Sequence, residues 1–351
     1  MMYKNVEKLE RIIREYDGSA VKLMEVCGTH TQQIAHFGMH ALLSEKLSLL
    51  SGPGCPVCVT PAEYIDCAAE IAVRPGHTIL SFGDMMRVPG RGASLLEAKA
   101  SGGSISLMYS PMEVLKHAKS EPKRTFFVAA VGFETTLPLY ALLTKKLRAE
   151  NIKNVRLMMS VKALLPGIEW ICENNSGINA FIGPGNVSAV TGYGCYEYIC
   201  NKYKLPMAVA GFGYEHLLAA IVDLIGQNGR NTHEVHNYYP SVVSREGNVR
   251  AIELIGSCFK KVDSVWRGFG TIEKSAYRLT DEFAEYDAGA KFDIDADEPP
   301  GCLCAEIITG KSMPVECSLF GNLCTPENPI GPCMVSGEGA CGIWHFNGRK
   351  R

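Results

Sequence analysis

Between Val21 and Ala210 the chain repeats one local pattern. A short apolar run ends in a glycine-rich turn, and a helical stretch follows. Val26 leads into Cys27-Gly-Thr-His30, and Leu50 into Gly52-Pro-Gly-Cys-Pro-Val-Cys58. Phe82 leads into the turn from Gly83 to Gly90, and Val131 into Gly132-Phe-Glu-Thr-Thr136. Ile182 leads into Gly183-Pro-Gly-Asn186, and Ala210 into Gly211-Phe-Gly-Tyr214. The expected strands are 21–26, 47–50, 78–82, 104–108, 125–131, 155–160, 180–182 and 207–210. Helical patterns cover 61–73, 94–100, 112–118, 137–150, 195–203 and 215–227. Strands alternating with helices predict α/β folding with parallel sheets. Most of these strands lack polar alternation, as expected when both faces are covered. Parallel sheets bind ligands beyond the carboxyl ends of their strands, and glycine there lets backbone approach closely. The turns therefore predict one shared cleft.

At 351 residues the chain is long for one compact domain. Three matches suggest how it divides. Val21-Lys-Leu-Met resembles Val155-Arg-Leu-Met, Gly52-Pro-Gly resembles Gly183-Pro-Gly, and Ser81-Phe-Gly-Asp resembles Gly211-Phe-Gly-Tyr. They keep their order and are offset by 130–134 residues. The expectation is an N-terminal helix over 1–17, two similar parallel-sheet lobes over 18–120 and 121–235 facing a cleft, and a cysteine-rich C-terminal domain over 236–351. That last region is rich in Gly and Pro, so little apolar surface is expected to hold it together. A hydrophobic content of 46% excludes a disordered chain, and a net charge of −2 gives no reason to expect nucleic acid or anionic membrane as a partner. No apolar run reaches membrane-spanning length, and the N-terminus lacks a signal-peptide core, so a cytoplasmic, monomeric protein is expected.

Fourteen cysteines in such a chain point to metal or redox chemistry more than to structural disulfides. Cys67, Cys172, Cys195, Cys200 and Cys258 lie in apolar or helical contexts and read as small core residues. Cys27, with His30 beside it and a helix expected from about Thr31, reads as an activated thiolate, either a nucleophile or a soft metal ligand. Cys55 and Cys58 form a Cys-x-x-Cys pair, a redox dithiol or half of a metal site. Cys317, Cys324, Cys333 and Cys341 are spaced too widely for an ordinary zinc site and suit a four-iron cluster in a coil stiffened by Pro314, Pro326, Pro329 and Pro332. Cys302 and Cys304 lie just upstream, with no role assigned by spacing. Asp84, Arg87 and Glu134 occupy the same expected rim, and Lys162 a comparable place in the second lobe.

Together, Glu25-Val-Cys-Gly-Thr-His-Thr, Ser51-Gly-Pro-Gly-Cys-Pro-Val-Cys-Val-Thr-Pro, Phe82-Gly-Asp-Met-Met-Arg-Val-Pro-Gly, Gly132-Phe-Glu-Thr-Thr, Cys324-Thr-Pro and Gly331-Pro-Cys-Met-Val-Ser-Gly-Glu-Gly-Ala-Cys341 resemble the HypD family of hydrogenase maturation proteins. The resemblance covers almost the whole chain. It implies a scaffold that assembles the iron centre of [NiFe]-hydrogenase with a HypC-type partner, cyanide coming from a HypE-type donor. It implies iron carrying cyanide and carbon monoxide at Cys27, with His30 polarising that thiol or a bound diatomic. It further implies a Cys55/Cys58 dithiol and a [4Fe–4S] cluster on Cys317, Cys324, Cys333 and Cys341, with electrons passing from cluster to dithiol to iron. Asn186, Gly213 and Gly337 depart from the family's usual residues. Two other readings stand beside it: an iron–sulfur-linked thiol–disulfide reductase, and a paralogue serving another metalloenzyme. No Gly-x4-Gly-Lys-Ser/Thr loop supports ATP hydrolysis.

Overall fold

The computed structural model describes residues 6–175, 177–289 and 299–347. The chain is α/β, with two parallel sheets and a separate hairpin. In chain order the strands are β1 (Val21–Glu25), β2 (Leu47–Ser51), β3 (His77–Ser81), β4 (Ile105–Leu107), β5 (Thr125–Gly132), β6 (Val155–Val161), β7 (Ala180–Pro184), β8 (Met207–Ala210), β9 (Val235–Tyr238), β10 (Phe259–Trp266) and β11 (Gly270–Leu279). The first sheet runs β2-β1-β7-β8-β9 and the second β4-β3-β5-β6; β10 and β11 form an antiparallel hairpin. All eight expected strands are present, each end within two residues of its expected place.

The division into lobes differs from the expectation. The boundary at 120/121 falls between β4 and β5, which share the second sheet, and the boundary at 235/236 falls inside β9. Each sheet is instead completed by non-local pairing: β1 takes β7 as its neighbour, with Leu23 opposite Ala180. The sequence matches do not follow the sheets either. They relate β1 to β6 across sheets but the β2 turn to the β7 turn within one sheet. What recurs is the strand–glycine–helix unit, because each parallel strand end meets the same steric demand.

One apolar cluster outside the first sheet packs Leu23 and Leu49 against Leu217, Ile221 and Leu224 of the helix Tyr214–Arg230. A second covers the outer face of the second sheet with Leu137, Tyr140 and Leu143 of the helix Leu137–Ala149. The largest lies between the sheets and includes Cys302, Cys304, Ile307, Ile308, Cys324, Cys333, Met334 and Cys341. The C-terminal segment therefore does join a hydrophobic core, contrary to the expectation from its composition, because it packs on the sheets instead of on itself.

The hairpin closes the β6 edge. Ala163 N–H donates to Ser275 O at 2.8 Å, and buried Lys162 donates from Nζ to Ser264 Oγ (2.8 Å) and Val265 O (2.7 Å). Lys162 is thus an anchor for β10. Burial pushes its ammonium down to about 7, whereas the unfolded chain holds that proton up to the ordinary lysine range. The unfolded state binds more protons between those limits, so this group makes stability rise with pH from about 7 to about 10. Urea midpoints measured across that range should rise more steeply for wild type than for Lys162→Met; equal slopes would contradict the assignment.

Candidate functional site

In each sheet the strand order reverses direction at one point: between β1 and β7 in the first, and between β3 and β5 in the second. Crevices open at such reversals, outside the carboxyl ends of the strands. Here the two crevices merge. A cavity of about 320 Å³ is lined by Cys27 beyond β1, Gly54 and Pro56 beyond β2, Asp84 and Met85 beyond β3, Phe133 and Thr136 beyond β5, and Asn186 beyond β7. Glu338, from the C-terminal segment, completes the wall. The expected shared cleft is therefore present, and both sheets build it.

Cys27 is buried and is itself the N-cap of the helix Gly28–His36, which starts three residues before the expected point. Its carbonyl accepts from His30 N–H at 2.8 Å and Thr31 N–H at 3.1 Å. Glu25 organises this turn. One carboxyl oxygen accepts from Cys27 N–H at 3.0 Å and the other from the Thr31 hydroxyl. Glu25 is 2% exposed, and burial pushes its carboxyl up to about 8.

The expectation of an acidified Cys27 does not hold in this state. Burial pushes the thiol up to about 12, with further upward pressure from Glu25 and Glu338. No imidazolium offsets this. His30 is fully buried, which drives its pKa down to about 4. Its Nε2 lies 3.2 Å from both Ala210 O and Gly211 O at the end of β8. Two carbonyls require an N–H at Nε2, so Nδ1 is the bare nitrogen; it has no hydrogen-bond partner among the described residues. His30 ties the helix to β8, with its ring 5.0 Å from that of Phe212.

Cys55 and Cys58 are joined as a disulfide, with Cα atoms 5.3 Å apart and both residues buried. The loop that carries them is pressed onto the Cys27 turn. Gly28 N–H donates to Gly54 O at 3.1 Å, and a Cβ on Gly54 would stand 2.4 Å from the Cys27 nitrogen. On its other side, a Cβ on Gly28 would stand 2.4 Å from Glu338 Cβ. The dithiol loop, the Cys27 turn and the C-terminal segment are thus stacked with no room for a methyl group between them.

The remaining expected residues separate. Asp84 lines the cavity, and partial burial raises its carboxyl pKa. Arg87 points elsewhere, donating to Pro326 O at 2.8 Å and so clamping the C-terminal segment. Glu134 lies beside a second cavity, although its neighbours Phe133 and Thr135 line the first. Cys317, Cys324, Cys333 and Cys341 are all buried, as are Cys302 and Cys304. Cys333 is hydrogen-bonded to Cys304, which, with burial, holds its thiol well above the usual range. The sulfurs of Cys302 and Cys304 occupy the space beside Gly331, where a Cβ would meet them at 2.8 and 2.5 Å. Among the described residues, no group of three or more His, Cys, Asp or Glu side chains is arranged to hold a metal ion. The donor types nonetheless fit an iron–sulfur cluster chemically: the segment carries six buried thiols, and thiolate is the ligand such clusters take.

Glu25 and Glu338 were not picked out as site residues. The signal for Glu25 was a carboxylate inside an apolar parallel strand, and for Glu338 a lone acid between Gly337 and Gly339.

Two parallel sheets whose reversal points share one cleft define an α/β protein in which a buried thiol, a disulfide loop and a cysteine-rich C-terminal segment adjoin. Residues 2–348 match the family model described as HypD, hydrogenase formation hypA family. The chain is 41% identical over 330 residues to the hydrogenase maturation factor HypD of Escherichia coli K12, covering 93% of this chain and 88% of that one. It is 39% identical over 342 residues to HypD2 of Bradyrhizobium diazoefficiens (94% and 90%) and 40% identical over 341 residues to HypD of Azotobacter vinelandii (94% and 90%). The chain belongs to the HypD family of hydrogenase maturation factors. No helix among the described residues is long and apolar enough to cross a membrane.

Gly54→Ala tests the stacking. The added methyl overlaps backbone, not a flexible side chain, so the variant should lose about 2 kcal/mol of stability by urea unfolding. A loss below about 0.5 kcal/mol would mean that the two turns are not held in contact.

Proposed function

We propose that this chain is the scaffold on which the iron unit of [NiFe]-hydrogenase is assembled, iron being held at Cys27 while it receives cyanide and carbon monoxide. A HypC-type partner would supply the second thiolate and a HypE-type partner the cyanide. The observation that carries this reading is the buried Cys27 thiol in a cavity built by the strand ends of both sheets.

The electrostatics favour a cation as cargo. A thiol at about 12 keeps its proton, but the carboxyl groups that raise it attract a metal ion. Iron binding then replaces the proton: the S–H bond breaks as the S–Fe bond forms. Asp84 and Glu338 line the same cavity with raised carboxyl pKa values, which suits them to accept that proton. The Cys55–Cys58 disulfide becomes two thiols on taking up two electrons and two protons. Its loop touches the Cys27 turn through Gly54, so this change is felt at the iron ligand. Cys317, Cys324, Cys333 and Cys341 would hold a [4Fe–4S] cluster, with Cys302 and Cys304 in the same sulfur nest. When bound, such a cluster supplies single electrons.

The disulfide also favours a second reading, a thiol–disulfide reductase that uses Cys55 and Cys58. That activity would need neither the cavity nor Cys27. Infrared spectra of the protein, purified without oxygen together with a HypC-type partner, separate the two readings. Cyanide and carbonyl stretching bands should be present in wild type and absent in Cys27→Ala. Absence of bands from wild-type protein with its partner bound, together with disulfide reduction that survives Cys27→Ala, would replace the scaffold by the reductase.

The cluster has its own test. Single Cys→Ser changes at positions 302, 304, 317, 324, 333 and 341, read by iron content and visible absorption, should abolish both at 317, 324, 333 and 341 only. Loss at 302 or 304 with retention at one of the four would reassign the ligands.

A further inference from the structure

The second cavity is separate from the Cys27 cleft, although Val187 belongs to the wall of both. Its volume is about 360 Å³, within the range of small-molecule sites. The lining is mostly apolar, with Leu165, Val190, Ile252, Ile255 and Phe259 prominent. At its wall sits Glu134, 4% exposed. Glu134 Oε1 accepts from Leu164 N–H at 3.0 Å, at the start of the helix Leu164–Asn174. Glu134 Oε2 is buried and has no hydrogen-bond partner among the described residues. Among the other polar groups in the wall, Tyr196 Oη accepts from Ser188 Oγ at 3.3 Å, Thr191 Oγ1 donates to Val187 O at 3.2 Å, and the Lys261 ammonium lies over the Tyr277 ring, 5.9 Å from its centroid. A buried acceptor left open is destabilising unless something fills it.

We infer that this cavity is a binding site for a small, largely apolar molecule that carries one N–H or O–H donor, which Glu134 Oε2 accepts. The apolar wall takes the body of the molecule, and the donor satisfies the open oxygen. Burial raises the Glu134 carboxyl to about 7, with Lys261 in the same wall opposing that rise, and in the ionised form Oε2 is an open acceptor. Gly256 lines the same cavity from the helix Val249–Cys258, and a Cβ built there meets nothing within 4 Å. A side chain at 256 would therefore enter open space and would also favour the helix.

Indole and indene make the test. They are nearly the same size, but only indole offers an N–H. Binding to the full-length protein is followed by ligand-observed NMR titration. Wild type should bind indole saturably and about tenfold more tightly than indene, as expected for one hydrogen bond to a buried carboxyl. Glu134→Gln keeps an acceptor for Leu164 N–H but turns an amide N–H₂ toward the cavity, so the preference for indole should vanish. Gly256→Leu should remove binding of both probes without lowering the thermal midpoint. No saturable indole binding to wild type, equal binding of the two probes, or binding that survives Gly256→Leu would each overturn the assignment.

Discussion

Everything at the cleft depends on the contact between Gly54 and the Cys27 backbone. Parallel neighbours β1 and β2 deliver their exits side by side, but strands about 5 Å apart do not by themselves bring two loops into backbone contact. The Gly28 N–H to Gly54 O hydrogen bond does so, and only because neither residue carries a side chain. Glu338 then seats on the far side of Gly28, where Thr29 Oγ1 donates to it at 3.3 Å. Three segments far apart in sequence are thereby fixed in one layer. A change in the covalent state of Cys55 and Cys58 has a short mechanical route to Cys27.

The same layer sets the electrostatics. Glu25, Cys27 and Glu338 are acids held away from water, and each is driven toward its protonated form chiefly by burial. Burial disfavours the charged form of each group. It also makes the pocket a poor nucleophilic site, because the thiolate is scarce. A bound divalent ion reverses the balance by favouring every ionised form at once. Such a response is what the proposed role of Cys27 as an iron ligand requires. His30 contributes rigidity instead of charge: its N–H spans two carbonyls at the end of β8.

Much of this was readable from sequence. The apolar runs of β1 to β8 and their glycine turns report directly on strands covered on both faces, so strand positions and the cleft were legible. Sheet membership was not. β1 pairs with β7 across more than 150 residues, and no local pattern encodes which apolar strand becomes whose neighbour. Strands β10 and β11 are not legible as apolar runs, because segments such as Phe259-Lys-Lys-Val-Asp-Ser-Val-Trp266 carry charge on an exposed face. The acidity of Cys27 is hidden from the sequence for a related reason. Sequence displays the helix and the histidine, but the burial that overrides both is a tertiary property.

The C-terminal segment unites the two chemistries. Composition suggests a peripheral coil, yet Cys324, Cys333 and Cys341 share a core with Ile168 and Phe181 of the sheet layers. Arg87, at the rim of the second sheet, holds Pro326, while Glu338 closes the Cys27 cavity. A sulfur-rich nest placed in the core cannot move without disturbing the wall it supplies to the cleft. Loss of structure among these cysteines should therefore be felt first at Glu338 and the Cys27 turn, and only later at the outer helices, whose apolar clusters are separate from it. The nest and the cleft are best regarded as one mechanical unit, with the glycine stack as its joint.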